Sequence, residues 1–181
     1  ATLNIGKMEN KGVEVLLTGT PVKGKFRWDI GVNFAYNANK VISLGEGINT
    51  LTTEQSRSGR AWIQHRVGEA YSSIAGYRQR VINGEKVYDA DGFPVRDETV
   101  VLLGKGVPPI SGGITNEFYY KNFSLSFLLD YRKGGSLYSG TNAIMYNNGV
   151  HGNSVAGRES PMKITGVDDT GKPLSVDFNP L

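Results

Sequence analysis

The residues of this 181-residue chain that are able to do acid, base or metal chemistry are few and poorly spaced for it. His65 and His151 are its two histidines, and neither has a second ligand at the spacing of a zinc site. Asp168 and Asp169 form an acid pair, but they stand in the sequence VDDTG, which is typical of a turn. No nucleophile-elbow pattern marks a serine, and GKGVPP at 104–109 lacks the ending of a phosphate loop. We therefore predict that the chain is not an enzyme, and we assign no catalytic residue, no metal ligand and no cofactor.

Three aromatic residues of the central region, Trp62, Tyr71 and Tyr77, have the chemistry to stack on sugar rings. The alternative is that they pack a small core of their own loop, and we favour that interpretation. Cysteine is absent, which excludes zinc–thiolate sites, iron–sulfur clusters, disulfides and cysteine nucleophiles. The net charge of +3 comes from scattered lysines and arginines, without the patch typical of nucleic-acid binding.

Alternation of apolar and polar residues predicts an all-β, predominantly antiparallel fold that would position these side chains. We predict strands at about 12–19, 26–38, 115–131 and 136–146, and a long loop region with short strands at 40–113. The second strand has the clearest pattern, because its apolar residues all share one face: Phe26, Trp28, Ile30, Val32, Phe34 and Tyr36. The first two strands and the turn between them predict an antiparallel hairpin.

Two architectures fit these strands, a water-soluble sheet and a transmembrane β-barrel. The runs 26–36 and 121–131 are longer than the roughly 5 to 6 residues of a soluble strand, whereas about 9 to 11 residues cross a tilted bilayer. Aromatic residues stand at the ends of the apolar rows, as barrel girdles do. The opposite faces carry polar residues that suit a hydrated lumen: Arg27, Asp29, Asn33 and Asn37, then Ser124, Ser126, Asp130 and Arg132. A long soluble hairpin with one wet face remains the alternative.

Three segments resemble the late barrel region of SusC/RagA-type TonB-linked outer-membrane transporters. They are NKGVEVLLTGTPVKGKFRWDIGVNFAYNANKVISLGEG at 10–47, RVGEAYSSIAGYRQRVINGEKVYDADGFPV at 66–95 and LGKGVPPISGGITNEFYYKNFSLSFLLDYRKGG at 103–135. Each motif is loose, but their order and spacing extend the likeness over about residues 4–158.

The resemblance implies a 22-stranded barrel with an internal plug, energised by TonB and capped by a SusD-type surface lipoprotein. It implies uptake of oligosaccharides or peptides across the outer membrane of Bacteroidetes. The plug, the TonB-contact segment and most strands are missing from these 181 residues. We therefore expect both ends to be cuts, residues 1–181 to form a single β-rich fragment of the barrel, and that isolated fragment to self-associate through its free edges.

The family's calcium-like aspartate loop is represented here only by YDADG at 88–92, and Asp89 and Asp91 within it, with Asp97 beyond it, are candidate calcium ligands. An ordinary β-turn is the favoured interpretation, because the EF-hand spacing is not met. In such barrels short turns face the periplasm. We accordingly predict periplasmic turns at both 21–24 and 132–135, an extracellular excursion over 40–113, and Lys121 towards the outer rim. The alternative function is a soluble β-rich module that binds carbohydrate or protein.

Overall fold

The computed structural model describes residues 6–179, so residues 1–5 and 180–181 of the predicted fragment 1–181 lie outside the described part. Twelve strands and one α-helix are described. In chain order they are β1 (Lys7–Val22), β2 (Phe26–Ser43), β3 (Thr50–Gln55), β4 (Ala61–Arg66), β5 (Ser73–Gly76), β6 (Val81–Ile82), β7 (Glu85–Lys86), β8 (Val101–Lys105), β9 (Ile110–Tyr120), β10 (Phe123–Lys133), α1 (Gly140–Asn147), β11 (Met162–Val167) and β12 (Pro173–Phe178). A 3-10 turn follows α1 at Gly152–Ser154. No helix within residues 6–179 is long and apolar enough to cross a membrane.

The strands form four sheets, with the orders β1-β2-β9-β10, β3-β4-β5-β8, β11-β12 and β6-β7. The first, called the long sheet below, is antiparallel throughout. Its central strands pair from Phe26 opposite Tyr120 to Tyr36 opposite Ile110. β1 and β2 include the strands expected at 12–19 and 26–38 and extend beyond them, because their antiparallel pairing continues as far as Lys7 opposite Ser43.

The expectation of one strand over 115–131 is wrong. Two strands, β9 and β10, meet at a two-residue turn formed by Lys121 and Asn122, and Tyr120 pairs with Phe123 across it. Lys121 has a φ of 51°, a left-handed conformation that tight hairpin turns require. Asparagine and glycine adopt this conformation more readily than lysine does, so the sequence YKNF does not predict a turn.

This turn also corrects the predicted topology. Because Tyr120 lies opposite Phe26, residues 121–122 and the β1/β2 turn at 23–25 occupy the same end of the long sheet, which we call the turn end. Ser43, Ile110 and Lys133 lie at the opposite end, the loop end. The segments 21–24 and 132–135 are therefore at opposite ends, so they do not both face one side of a membrane. Lys121 lies at the turn end, on the same side as the segment 21–24.

The strand expected at 136–146 is wrong as well, since Gly140–Asn147 is the helix α1. Ser139 is its N-cap and accepts a hydrogen bond from the Asn142 backbone N–H at 3.2 Å. A serine cap satisfies one of the free N–H groups of the first turn, which favours the helix over an extended segment. The apolar residues Ile144 and Tyr146 remain largely exposed.

The residues group into two units, and the single fragment expected over 1–181 stays a prediction. Unit 1 contains the described residues up to Thr53, Ile63–Ser73 and Gly104–Leu137; unit 2 contains Glu54–Trp62, Ile74–Leu103 and the described residues from Tyr138 on. Unit 1 holds the long sheet and buries Val41, His65 and Asn116. Unit 2 has a small core: Ala61, Ile74, Ala75, Val87 and Val167. Short strands β3 to β8 occupy the region predicted as a long loop.

Candidate functional site

One face of the long sheet is apolar and uncovered. It is called the apolar face here, and cross-strand register assigns it Val13, Val15 and Leu17 of β1, Phe26 to Tyr36 of β2 at alternate positions, Ile114 and Phe118 of β9, and Phe123, Leu125, Phe127, Leu129 and Tyr131 of β10. Phe123 is 79% exposed and Leu129 is 58% exposed. A water-soluble protein rarely exposes so large a contiguous apolar surface, which marks it as a contact surface for lipid or another apolar partner.

Aromatic rings concentrate at the two ends of the apolar face. At the turn end, the Phe118 ring stacks between Phe26 and Trp28, with centroids 6.0 and 5.8 Å away, and it contacts Phe127 at 6.0 Å. Trp28 Nε1 donates a hydrogen bond to Asn116 Oδ1 at 3.2 Å. At the loop end stand Phe34, Tyr36 and Tyr131. Rings at both ends of an apolar band are the arrangement of interfacial girdles.

The other side, the polar face, carries the alternate residues of the same strands. At its turn end Asp29 accepts hydrogen bonds from Thr20 Oγ1 at 2.7 Å and from Arg27 Nε at 3.0 Å. A second Arg27–Asp29 contact joins Nη2 to Oδ2 at 2.7 Å. Tyr119 Oη donates to Glu117 Oε2 at 2.9 Å, and the Arg27 guanidinium lies 5.6 Å from the Tyr119 ring centroid. Charged groups held in this way are suited to a water-filled surface.

A shallow depression of about 480 Å³ lies on this side of the sheet. Its floor passes over Gly31, where no side chain stands, and its walls include Thr18, Asn33, Thr115 and Glu117. Its lining provides hydrogen-bond donors and acceptors, which suit polar contacts.

The sequence pattern found only part of this polar cluster. Arg27 and Asp29 were assigned to the polar side from alternation. Glu117 and Tyr119 were missed, since the unrecognised turn at Lys121 reversed the face that alternation assigns to the residues before it in β9. Thr20 was missed because it lies beyond the strand predicted at 12–19. In one continuous strand, residues three positions apart lie on opposite faces. Across the turn, Tyr120 and Phe123 are paired and share a face, so the faces assigned before the turn are exchanged.

The aspartates considered for calcium are placed differently from a ligand set. Asp89 Oδ1 accepts the backbone N–H groups of Asp91 at 3.0 Å and Phe93 at 2.8 Å, and Asp97 Oδ1 accepts that of Thr99 at 2.9 Å. Their carboxylates thus close turns of their own. Among residues 6–179 no group of three or more acidic, histidine or cysteine side chains is positioned to hold a metal ion.

His65 is buried in unit 1, with 5% of its surface exposed. Its Nδ1 accepts the Ser72 backbone N–H at 3.1 Å, and its Nε2 lies 3.4 Å from Thr53 Oγ1. Tyr71 stacks on the ring with centroids 4.3 Å apart. Burial lowers the pKa of His65, because desolvation disfavours the charged imidazolium. The residue is therefore a neutral structural element of the β4 region.

The other candidate residues are held in local contacts. His151 caps the 3-10 turn through Nδ1, which accepts the Asn153 N–H at 3.1 Å, and it stacks on Tyr146 at 4.0 Å. The Asp168 carboxylate accepts hydrogen bonds from Thr170 Oγ1 at 2.7 Å and from the Lys172 N–H at 2.9 Å, and these lower its pKa. Both arrangements stabilise turns.

Comparison with known proteins identifies the architecture. The chain is 30% identical over 148 residues to the TonB-dependent receptor SusC of Bacteroides thetaiotaomicron, and 29% identical over 159 residues to the TonB-dependent receptor P26 of Formosa agariphila. These alignments cover 71% and 75% of this chain. It belongs to the SusC/RagA-type TonB-dependent receptors. The resemblance drawn from its motifs is thereby confirmed.

The solved structures agree. The RagAB peptide transporter, and the RagAB peptide importer in its closed-closed state, each superpose with a TM-score of 0.52, at 25% and 26% identity over 72% and 73% of the chain. The all-β class with antiparallel hairpins of a transmembrane barrel is confirmed. No protein-family model matches. This SusC/RagA-type chain spans only 14% of SusC and 16% of the RagAB chains.

Proposed function

We propose that this chain supplies four membrane-spanning strands and the adjoining outer segments of a TonB-dependent nutrient importer in the bacterial outer membrane. The observation that carries the proposal is the separation of faces on the long sheet. An uncovered apolar band with aromatic rings at both ends lies behind a polar face with charged hydrogen-bonded groups. Lipid on one side and a hydrated lumen on the other satisfy both faces at once.

The partners and the cargo follow from the family. SusC is a TonB-dependent receptor, and RagAB is a peptide transporter. For the present chain we infer energising by TonB, a SusD-like surface lipoprotein, and a cargo of oligosaccharides or peptides. The turn end would face the periplasm, since short turns lie on that side of such barrels. The segment 44–109, which connects β2 to β9 at the loop end, would then be extracellular.

The alternative of a soluble carbohydrate- or protein-binding module is less consistent with the apolar face. Such a module would leave Phe123, Leu125 and Leu129 in water, where each is more than half exposed. Burying a leucine or phenylalanine side chain contributes about 1.5–3 kcal/mol, so exposing the whole band would forgo much of a small domain's stability. We expect the isolated chain to self-associate for the same reason.

Expression and uptake test the proposal together. The protein carrying residues 6–179 is expected in the outer-membrane fraction, and its deletion should abolish growth on one class of oligosaccharide or peptide. Deletion of TonB should give the same loss. Recovery of the protein in the soluble fraction, or uptake that persists without TonB, would contradict it.

A further inference from the structure

Unit 2 contains a cavity of about 600 Å³ that the strand pattern does not explain. Three arginines, Arg60, Arg78 and Arg96, line it together with the aromatic and polar side chains Tyr77, Tyr138 and Gln79. Its lining within the described residues includes no aspartate or glutamate. Three cations in a lining without an anion favour an anionic ligand.

Two of the arginines are held in place by a short backbone ladder. Arg78 O accepts the Asp97 N–H at 2.9 Å, and Arg80 N donates to Val95 O at 2.8 Å. Gln79 lies opposite Arg96 in the same antiparallel bridge. The spacing of Arg78 and Arg96 is therefore fixed by main-chain hydrogen bonds and does not depend on side-chain packing alone.

The aromatic side chains of the cavity are fixed as well. The Arg96 guanidinium lies 4.2 Å from the Tyr77 ring centroid, and the Trp62 ring meets Tyr77 edge-on at 5.5 Å and 82°. The Tyr138 hydroxyl is 2.6 Å from Ser58 Oγ. Rings ordered in the absence of a ligand lose little conformational entropy when one binds.

Most guanidinium donors remain available to a ligand. Arg78 uses Nη2 for one long hydrogen bond, to Leu102 O at 3.4 Å, and the side chains of all three arginines belong to exposed residues. A guanidinium has five N–H donors in a planar fork that matches a carboxylate. Two such forks therefore project from backbone segments that hydrogen bonds hold together.

We propose that this cavity, called the arginine cavity, binds a carboxylate-bearing oligosaccharide such as one built of uronic acids. The arginines would hold the carboxylates, and Tyr77 and Tyr138 would pack against the apolar faces of the sugar rings. The proposal rests on the proposed import function and deepens it, because it names the class of cargo.

A sugar fits the cavity better than an acidic peptide. Extended peptides are usually bound by adding a strand, which requires free backbone N–H and C=O groups on the protein. Here Arg78 O already accepts from the Asp97 N–H, Arg80 N donates to Val95 O, and Arg80 O and Val95 N both bond to Val87. Recognition is left to the side chains, and guanidinium groups beside aromatic rings suit a charged sugar.

Calorimetric titration of the purified full-length protein tests the assignment, with trigalacturonate, neutral maltotriose and the peptide triglutamate as probes. We expect trigalacturonate to bind at least about tenfold more tightly than maltotriose. The double variant Arg78→Gln/Arg96→Gln should lose at least about tenfold of that affinity. Arg57→Gln is the matched control, since Arg57 is an exposed arginine of the same unit that does not line the cavity.

Equal binding of the two sugars, tighter binding of triglutamate, or an unaffected double variant would each overturn the assignment. Salt dependence provides a readout that needs no variant: added salt should weaken trigalacturonate binding, and a salt-independent affinity would contradict a role for the arginines. Failure of import with retained trigalacturonate binding would refute the importer alone. Import of a neutral cargo without trigalacturonate binding would refute the arginine cavity alone.

Discussion

Phe26 of β2 and Tyr120 of β9 lie directly opposite each other, and this single register brings the β1/β2 and β9/β10 turns to the same end of the long sheet. Tyr120 also pairs with Phe123 across the second turn. The three aromatic residues thus form a row beside two tight turns. In a membrane this row would lie at the depth of one lipid–water interface, and the two turns would lie in the water next to that interface.

Cysteine accessibility provides a direct measurement of this register. Lys23→Cys and Asn122→Cys should both resist labelling by a membrane-impermeant maleimide in intact cells, and both should label after the outer membrane is permeabilised. Lys133→Cys, at the loop end, should label from outside. Opposite behaviour of Lys23→Cys and Asn122→Cys would refute the register, because their strands would then end on different sides.

The two faces of β10 predict different effects of the same substitution. Leu129 points to the apolar face and is 58% exposed, whereas its neighbour Leu128 points to the polar face and is 60% exposed. Leu129→Arg should destabilise the membrane-inserted state by about 2–4 kcal/mol, because it places a charge in lipid. Leu128→Arg should cost less than about 1 kcal/mol.

Urea titration of refolding into vesicles measures both leucine variants under one set of conditions. Equal free energies of unfolding for the two would contradict a lipid-facing role for Leu129. The comparison needs no external control, since residue type, strand and depth are matched.

Gly112 is required by close packing on the long sheet. A Cβ at this position would stand 2.5 Å from Tyr131 Oη and 2.6 Å from the Asn33 backbone oxygen. The tyrosine tip is able to move, but the backbone oxygen belongs to β2. Gly112→Ala should therefore destabilise the sheet by about 1–3 kcal/mol, measured as a lower temperature for the loss of heat-modifiable mobility on gels.

Gly19→Ala is the corresponding control for Gly112, because a Cβ at Gly19 meets no atom within 4 Å. It should leave the transition within a few tenths of a kcal/mol of the wild type. A larger effect at Gly19 than at Gly112 would show that glycine content, and not the close approach, determines stability.

Acid should loosen the loop that His65 holds. Its pKa is lowered by burial, so the folded protein favours the neutral ring, whose Nδ1 accepts the Ser72 N–H. This contribution is complete above the unfolded pKa of about 6.5 and is lost as pH falls below it and through the folded pKa. Hydrogen exchange of the Ser72 amide, corrected for its intrinsic pH dependence, should lose protection over that range.

The variant His65→Gln separates this titration from other acid effects. Its Ser72 amide should exchange faster at neutral pH and should show no further loss of protection between pH of about 7 and 5. An identical acid transition in the variant would assign the effect to a different group.

The alternating residues predicted much of the long sheet, and the physical reason is that burial and lipid contact act on every second side chain. Alternation does not report turns whose residues are polar and whose φ is unusual. Lys121 and Asn122 separate β9 from β10 in this way, so Tyr119 lies on the face opposite to the one that an unbroken strand over 115–131 predicts. The helix α1 was missed because a single cap, Ser139, decides a segment without marked periodicity.

The candidate sites were harder to predict than the strands. Arg78 and Arg96 are 18 positions apart in sequence and are brought together by the pairing of residues 78–80 with 95–97. Nothing in the local sequence around either residue distinguishes it from a solvated arginine. The buried state of His65 has the same origin, because its partners Thr53 and Ser72 come from other segments.

The excursion of residues 44–109 between β2 and β9 has a consequence for how such proteins diversify. Closing a loop costs an entropy that rises only with the logarithm of its length, so doubling the segment would weaken the β2–β9 pairing by about 0.6 kcal/mol. Insertions into this segment and its recombination should therefore change the stability of the β2–β9 pairing very little. An exchange of this segment, with Arg78 and Arg96 of the arginine cavity, would leave the strand register from Phe26 to Tyr36 in place.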